Sequence, residues 1–253
     1  PSKHIVNTLK KEGYNSALIG MQHIRKDPKT IGYDKILDVD SNYAKDVTPT
    51  ALDFIENSIE APFFLSVGFE ETHRPFPEIT DEKEIKYSRP SANIPDTYRT
   101  RKDMAAFKES AKQLDHGIGK ILLKLKEKDL YKNTIIIYTT DHGIAFPNMK
   151  CTLSDQGIGV SLIIKGPKIF EEGKVIDSLV SHIDIYPTLC EILDIDKPNW
   201  LQGKSLIPLL NSNKEEIREK IFGEVNYHTA YEPMRTVRTK RWKYIKHFRN
   251  RTK

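Results

Sequence analysis

The run Ile135-Ile-Ile-Tyr-Thr-Thr-Asp-His-Gly143 constrains this chain more than any other stretch. Its β-branched beginning reads as a strand buried on both faces, the pattern of strands in α/β sheets. In open α/β sheets ligands gather at the carboxyl ends of the strands. Here that end carries Asp141, which offers a hard anionic oxygen, and His142, which offers an imidazole nitrogen. Gly143 lets the backbone turn tightly beneath them. An Asp after a strand is also an ordinary turn or cap residue, and a His beside a Gly is common in loops. The pair by itself therefore leaves both a metal site and a plain turn open.

The remaining pattern alternates helix and strand. His4–Glu12 predicts a short helix stopped by Gly13, and Ser16–Gly20 a brief buried strand. Thr48–Glu60, with Thr48 as N-cap, Pro49 at the first helical position and Leu52, Ile55 and Ile59 on one stripe, predicts a crossover helix. Phe63–Phe69 is the next strand, followed by the polar cluster Glu70–Phe76. An irregular connection, residues 77–100, leads to an amphipathic helix over Lys102–Lys128, weakened by Gly117 and Gly119. Asp115 and His116 inside it are assigned to the helix edge rather than to a metal. Val160–Ile164 predicts a strand and Ser181–Leu193 a helix in which His182 and Asp184 act as cap and brace. Beyond Asn211 the texture changes to short strands, Ile221–His228, Met234–Arg238 and Trp242–Phe248, the last two joined by a hairpin near Lys240-Arg241. The expected organisation is an α/β domain over residues 1–212 and the start of a small antiparallel subdomain over 213–253.

Composition narrows the partners. The 253 residues carry 40 Lys and Arg against 35 Asp and Glu, a formal charge of +5. That mild excess suits an anionic partner weakly and argues against nucleic acid. The basic run Arg238–Lys253 is read as a solvated strand face. No apolar run reaches the roughly 18 residues of a membrane helix, and the opening residues lack a signal-peptide core. The chain opens without Met and directly in a helical pattern, so it reads as a trimmed or partial polypeptide. Cys151 and Cys190 are too few for a disulfide framework.

Taken together, Tyr138-Thr-Thr-Asp-His-Gly143, Phe146-Pro147, Lys150-Cys-Thr-Leu-Ser-Asp-Gln-Gly157 and Val160–Ile164 resemble the second half of the sulfatase active site, within the alkaline-phosphatase-like superfamily. Heparan N-sulfatase-like bacterial members are the nearest in flavour. The resemblance implies an alkaline-phosphatase-like sandwich, with a mostly parallel central sheet flanked by helices and a small antiparallel C-terminal subdomain. It implies hydrolysis of sulfate esters or sulfamates, with sulfated glycans among the substrates. By the same resemblance Asp141 and His142 bind Ca2+, Lys150 contacts the sulfate, and His73, in His73-Arg-Pro75, sits on the substrate sulfate with Arg74 beside it. His23, in Gly20-Met-Gln-His23, matches the histidine next to the nucleophile, but Met21 stands where the family has Lys. His228 and Arg235 fall on a loop that borders the substrate pocket in related enzymes.

The nucleophile in that family is a formylglycine made from Cys or Ser in a Cys/Ser-x-Pro/Ala-x-Arg motif, and neither Cys151 nor Cys190 stands in one. The motif and an Asp-Asp pair are expected upstream, so this chain is expected to carry only the later half of the site and to be inactive alone. The compartment implied is secreted, periplasmic or lysosomal in type. Two other readings are a phosphatase or phosphonate hydrolase of the same superfamily and a degenerate, non-catalytic glycan-binding relative.

Overall fold

The computed structural model describes residues 3–167, 173–211, 214–228 and 230–248. The end of the basic run, residues 249–253, lies outside them. The chain divides into two compact units at Lys132/Asn133. That division falls inside the stretch the sequence suggests as one α/β domain.

The first unit is a parallel three-stranded sheet with helices. Helix α1 (Ile5–Lys11) leads into β1 (Asn15–Gly20), followed by β2 (Lys35–Leu37), α2 (Ala44–Asn57), β3 (Phe63–Gly68), α3 (Glu82–Tyr87) and α4 (Tyr98–Glu127). Strand order is β2-β1-β3, and β1 pairs in parallel with both neighbours, Ala17 opposite Lys35 and Leu65. The central strand buries Ala17, Leu18 and Ile19. Val6 and Leu9 of α1, Val47, Ala51 and Ile55 of α2, and Met104, Leu114, Ile121 and Leu125 of α4 complete the core. β3 is only half-buried along its length.

Two helices begin earlier than their sequence patterns suggest. α2 starts at Ala44, so Pro49 is the sixth helical residue instead of the first. It removes one backbone bond, and burial of Val47, Thr48 and Ala51 on the same face offsets that loss. α4 starts at Tyr98, because Thr97 and Thr100 form a reciprocal capping box ahead of the apolar stripe: Thr100 N donates to Thr97 Oγ1 at 3.2 Å and Thr97 N to Thr100 Oγ1 at 3.0 Å. Asp115 and His116 are exposed on α4, in keeping with the helix-edge assignment.

The second unit begins with β4 (Ile136–Thr139), then α5 (Asp155–Ile158), β5 (Leu162–Lys165), α6 (Ile185–Ile192), α7 (Ile207–Leu210), β6 (Lys220–Tyr227), β7 (Tyr231–Thr239) and β8 (Lys243–His247). The Ile-rich strand differs from its expected setting. β4 is half-buried, with Thr139 exposed, and it pairs antiparallel with β5, from Ile136 opposite Lys165 to Thr139 opposite Leu162. A β-branched run satisfies either pairing, so periodicity does not separate them. β6, β7 and β8 form an antiparallel meander, with Phe222, Val237 and Tyr244 in one row. Phe146, Met149, Leu153, Leu189, Cys190, Leu206, Leu209 and Met234 are buried in this unit.

Candidate functional site

The tip of β4 is fastened by side chains where the ladder runs out. Thr139 Oγ1 donates to Ser161 O at 2.8 Å and faces His182 Nε2 at 2.8 Å, while Ser161 N donates to Thr140 Oγ1 at 3.2 Å. One residue on, Asp141 Oδ1 accepts from His142 N at 3.0 Å. Gly143 N donates to Gly157 O at 2.9 Å, and a Cβ at Gly143 would lie 1.6 Å from Gln156 O, so only glycine fits.

His142 Nδ1 lies 2.7 Å from Gly143 O. A carbonyl can only accept, so Nδ1 carries the proton and the Nε2 lone pair points outward. That lone pair stands 3.4 Å from Asp141 Oδ2. At that spacing a positive charge, either a proton on Nε2 or a cation between the two atoms, draws them together. Asp141 is well exposed, so a charge arriving from solvent meets no barrier there.

Lys150 is half-buried on the same loop, and its backbone N–H donates to Ile144 O at 3.2 Å, closing the turn that follows His142. Asp141, His142 and Lys150 thus belong to one pinned loop. His228 follows β6, with its N–H donating to Ala230 O. Arg235, in mid-β7, is engaged within its own sheet: Nε lies 3.1 Å from Glu224 Oε2, and the guanidinium lies 5.9 Å from the Phe248 ring.

In the first unit His23 and His73 hang from the carboxyl ends of neighbouring parallel strands, β1 and β3. Met21 N donates to Gly68 O at 3.0 Å where the two strands leave the sheet. The His23 loop is tied to itself through Gln22, whose Oε1 accepts from Ile24 N at 2.7 Å and Arg25 N at 3.0 Å, and the His23 ring is exposed. His73 Nδ1 faces Arg74 O at 2.7 Å and Glu70 Oε1 at 3.5 Å, which leaves Nε2 as the outward nitrogen. Arg74 is bound bidentately by Asp103 of α4, at 2.7 and 2.5 Å, with Phe76 under its guanidinium at 4.3 Å. Its fork therefore fixes the loop to the helix.

Sequence comparison bears on what these tips are for. A family profile described as Sulfatase matches residues 1–195, and one described as N-sulphoglucosamine sulphohydrolase, C-terminal, matches residues 148–253. The chain belongs to the sulfatase family. It is 26% identical over 280 residues to human N-sulphoglucosamine sulphohydrolase, covering 94% of this chain and 55% of that protein. It is 25% identical over 256 residues to an ulvan-active sulfatase of Formosa agariphila, covering 97% of this chain and 50% of that protein. The sulfatase chain thus spans about half the length of these relatives. A protein solved in complex with its substrate D-glucosamine-2-N,6-O-disulfate shares the fold with a TM-score of 0.76 at 18% identity, over 95% of this chain and 72% of that one. The fold is the alkaline-phosphatase-like α/β architecture with a small antiparallel subdomain.

Calcium takes six to eight ligands, mostly oxygen. Asp141 Oδ2 and His142 Nε2, 3.4 Å apart, are two donor atoms that one cation could share, and among the described residues no group of three or more His, Cys, Asp or Glu completes a set. The pair fits a cation as part of a larger shell. Glu71, whose carboxylate accepts from Ala44 N at 2.9 Å, and Asp103, Thr139, Ser161 and His182 all brace these tips, and sequence reading assigned none of them there. The only trace of Glu71 is a second acid after an apolar strand, a spelling shared by any solvated turn.

Proposed function

We propose that the protein to which this sulfatase chain belongs hydrolyses sulfate esters or sulfamates of glycans, with N-sulfated glucosamine the first substrate to test. The observation that carries this reading is the Asp141–His142 pair, an acceptor nitrogen and a carboxylate oxygen 3.4 Å apart on a pinned strand tip. In this reading Asp141 and His142 hold Ca2+, which when bound supplies an electrophilic centre for the sulfuryl oxygens. Lys150 adds a compact cation with three donors to the anionic group, and His73, whose Nδ1 faces Arg74 O, takes up a proton at its outward Nε2 and passes it to the leaving group. His23 stands beside the nucleophile, a formylglycine supplied from outside this chain. His228 and Arg235 border the substrate, and Arg74 holds the His73 loop while Asp103 engages it. The domain boundary at 212/213 and a secreted, periplasmic or lysosomal-type compartment belong to the same proposal. Among the described residues no helix is long and apolar enough to cross a membrane.

The reading is tested in the complete protein, by following sulfate release from D-glucosamine-2-N,6-O-disulfate with ion chromatography. His73→Ala and Lys150→Ala should each lower kcat/KM by at least about tenfold, the loss of more than 1.4 kcal/mol of transition-state binding. Near-normal rates in both reject their roles. Met21, a thioether where the family has a cation, favours the second reading of a non-catalytic glycan binder. A Cys/Ser-x-Pro/Ala-x-Arg motif in the upstream coding sequence decides for the hydrolase, and its absence for the binder.

A further inference from the structure

Glu71 is a buried carboxylate with an unusual task. It is only 9% exposed, and both of its oxygens lie 2.9 Å from Ala44 N, the first amide of α2. That helix has no cap of its own, because its N-cap residue is Tyr43, whose side chain makes no capping bond. A carboxylate at a helix start satisfies an orphan N–H and meets the positive end of the helix dipole. Here it arrives from a loop 27 residues further along the chain. Next to it Glu70 N donates to Asn42 O at 2.8 Å, a second stitch between the same two segments.

The loop so fastened is the one that carries His73. His73 N donates to Glu70 O at 2.7 Å, and its ring Nδ1 faces Arg74 O at 2.7 Å. The histidine is therefore suspended between two anchors, Glu71 on the start of α2 and Arg74 on Asp103 of α4. We infer that Glu71 is a positioning residue, which uses the start of α2 to hold the His73 imidazole in its Nδ1–H tautomer with Nε2 directed outward. Its relevance to turnover rests on the hydrolase reading above; its effect on the His73 ring does not.

A local cap separates this role from simple helix support. Tyr43 has the extended backbone of an N-cap, φ −75 and ψ 152, so Tyr43→Asp can accept from the next amides of α2, at Lys45 or Asp46, and meet the helix dipole without Glu71. The readout is the imidazole 15N–1H correlation spectrum of His73 in this chain, alongside the thermal midpoint. Glu71→Ala should lower the midpoint and replace the Nδ1–H pattern by a mixture of tautomers. Glu71→Gln, which keeps one acceptor at the same reach, should retain the pattern. Glu71→Ala with Tyr43→Asp should recover the midpoint and leave the ring mixed, and this double variant carries the test if the single one does not fold. An unchanged His73 spectrum in Glu71→Ala, or its full recovery in the double variant, overturns the inference. In the complete protein the double variant should lose at least about tenfold in kcat with little change in KM. Absence of sulfate release from the parent would instead count against the hydrolase reading and leave the spectral result standing.

Discussion

Asp184 shows how a single side chain can knit distant segments. It is fully buried, and its oxygens accept from Ser181 N and Lys204 N at 2.8 Å each and from both terminal nitrogens of Arg218 at 2.5 Å. Arg218 is itself nearly buried. The backbone carbonyl of Asp184 accepts from the Thr188 hydroxyl at 2.6 Å, and that hydroxyl in turn accepts from Leu206 N at 2.9 Å. Removing the carboxylate would strand a guanidinium in a nearly dry setting, so Asp184→Ala should cost about 3–5 kcal/mol, read as a lower denaturant midpoint in urea melts. The reading of Asp184 as a brace was available from its place in the helix-opening pattern. Its partner was not, because nothing near Arg218 distinguishes it from the other basic residues along the chain. The same asymmetry holds at the candidate site. Asp141, His142, His23 and His73 stand out by residue type at strand ends, whereas Glu71, Ser161 and Thr139 act through burial and distance, which no spelling encodes.

At the scale of elements, α2 against α4 gives a paired test. Both glycines of α4 looked like weak points in a helix, yet their surroundings differ. A Cβ at Gly117 would stand 2.6 Å from Thr48 Oγ1 and 3.3 Å from Ala44 Cβ, while Gly119 has nothing within 4 Å. Gly119→Ala should therefore stabilise by about 0.5–1 kcal/mol through helix propensity. Gly117→Ala gains the same propensity but forces the helices apart, at about 1–3 kcal/mol of overpacking. Thermal midpoints of the two variants should move in opposite directions. Helix and strand identity was legible across most of the chain, since apolar periodicity reports it directly. Starts were less so. Both starts are fixed by caps, α4's polar first turn by Thr97 and Thr100 and α2's by Glu71 from a distant loop, and a period-based reading does not see either cap. The pairing of β4 was hidden for a related reason, because a run of isoleucines fits a parallel or an antiparallel neighbour equally well.

For the molecule as a whole, the sulfatase pattern was visible because its punctuation survives in Asp141-His142-Gly143 and in the Lys150 loop. Substrate choice was not: Arg235, proposed above to border the substrate, is engaged by Glu224 directly opposite it on β6, a pairing that the spelling does not mark. The half-buried β3 carries a consequence of its own. Phe63-Phe-Leu-Ser-Val-Gly68 pairs on one side with β1, and among the described residues no strand takes its other side. The segment has no charge, proline or bulge of the kind that blunts a sheet margin. Stored alone at high concentration, this chain should therefore recruit copies of itself along that seam, scattering more light as it is concentrated, and Phe63→Lys should keep it dispersed.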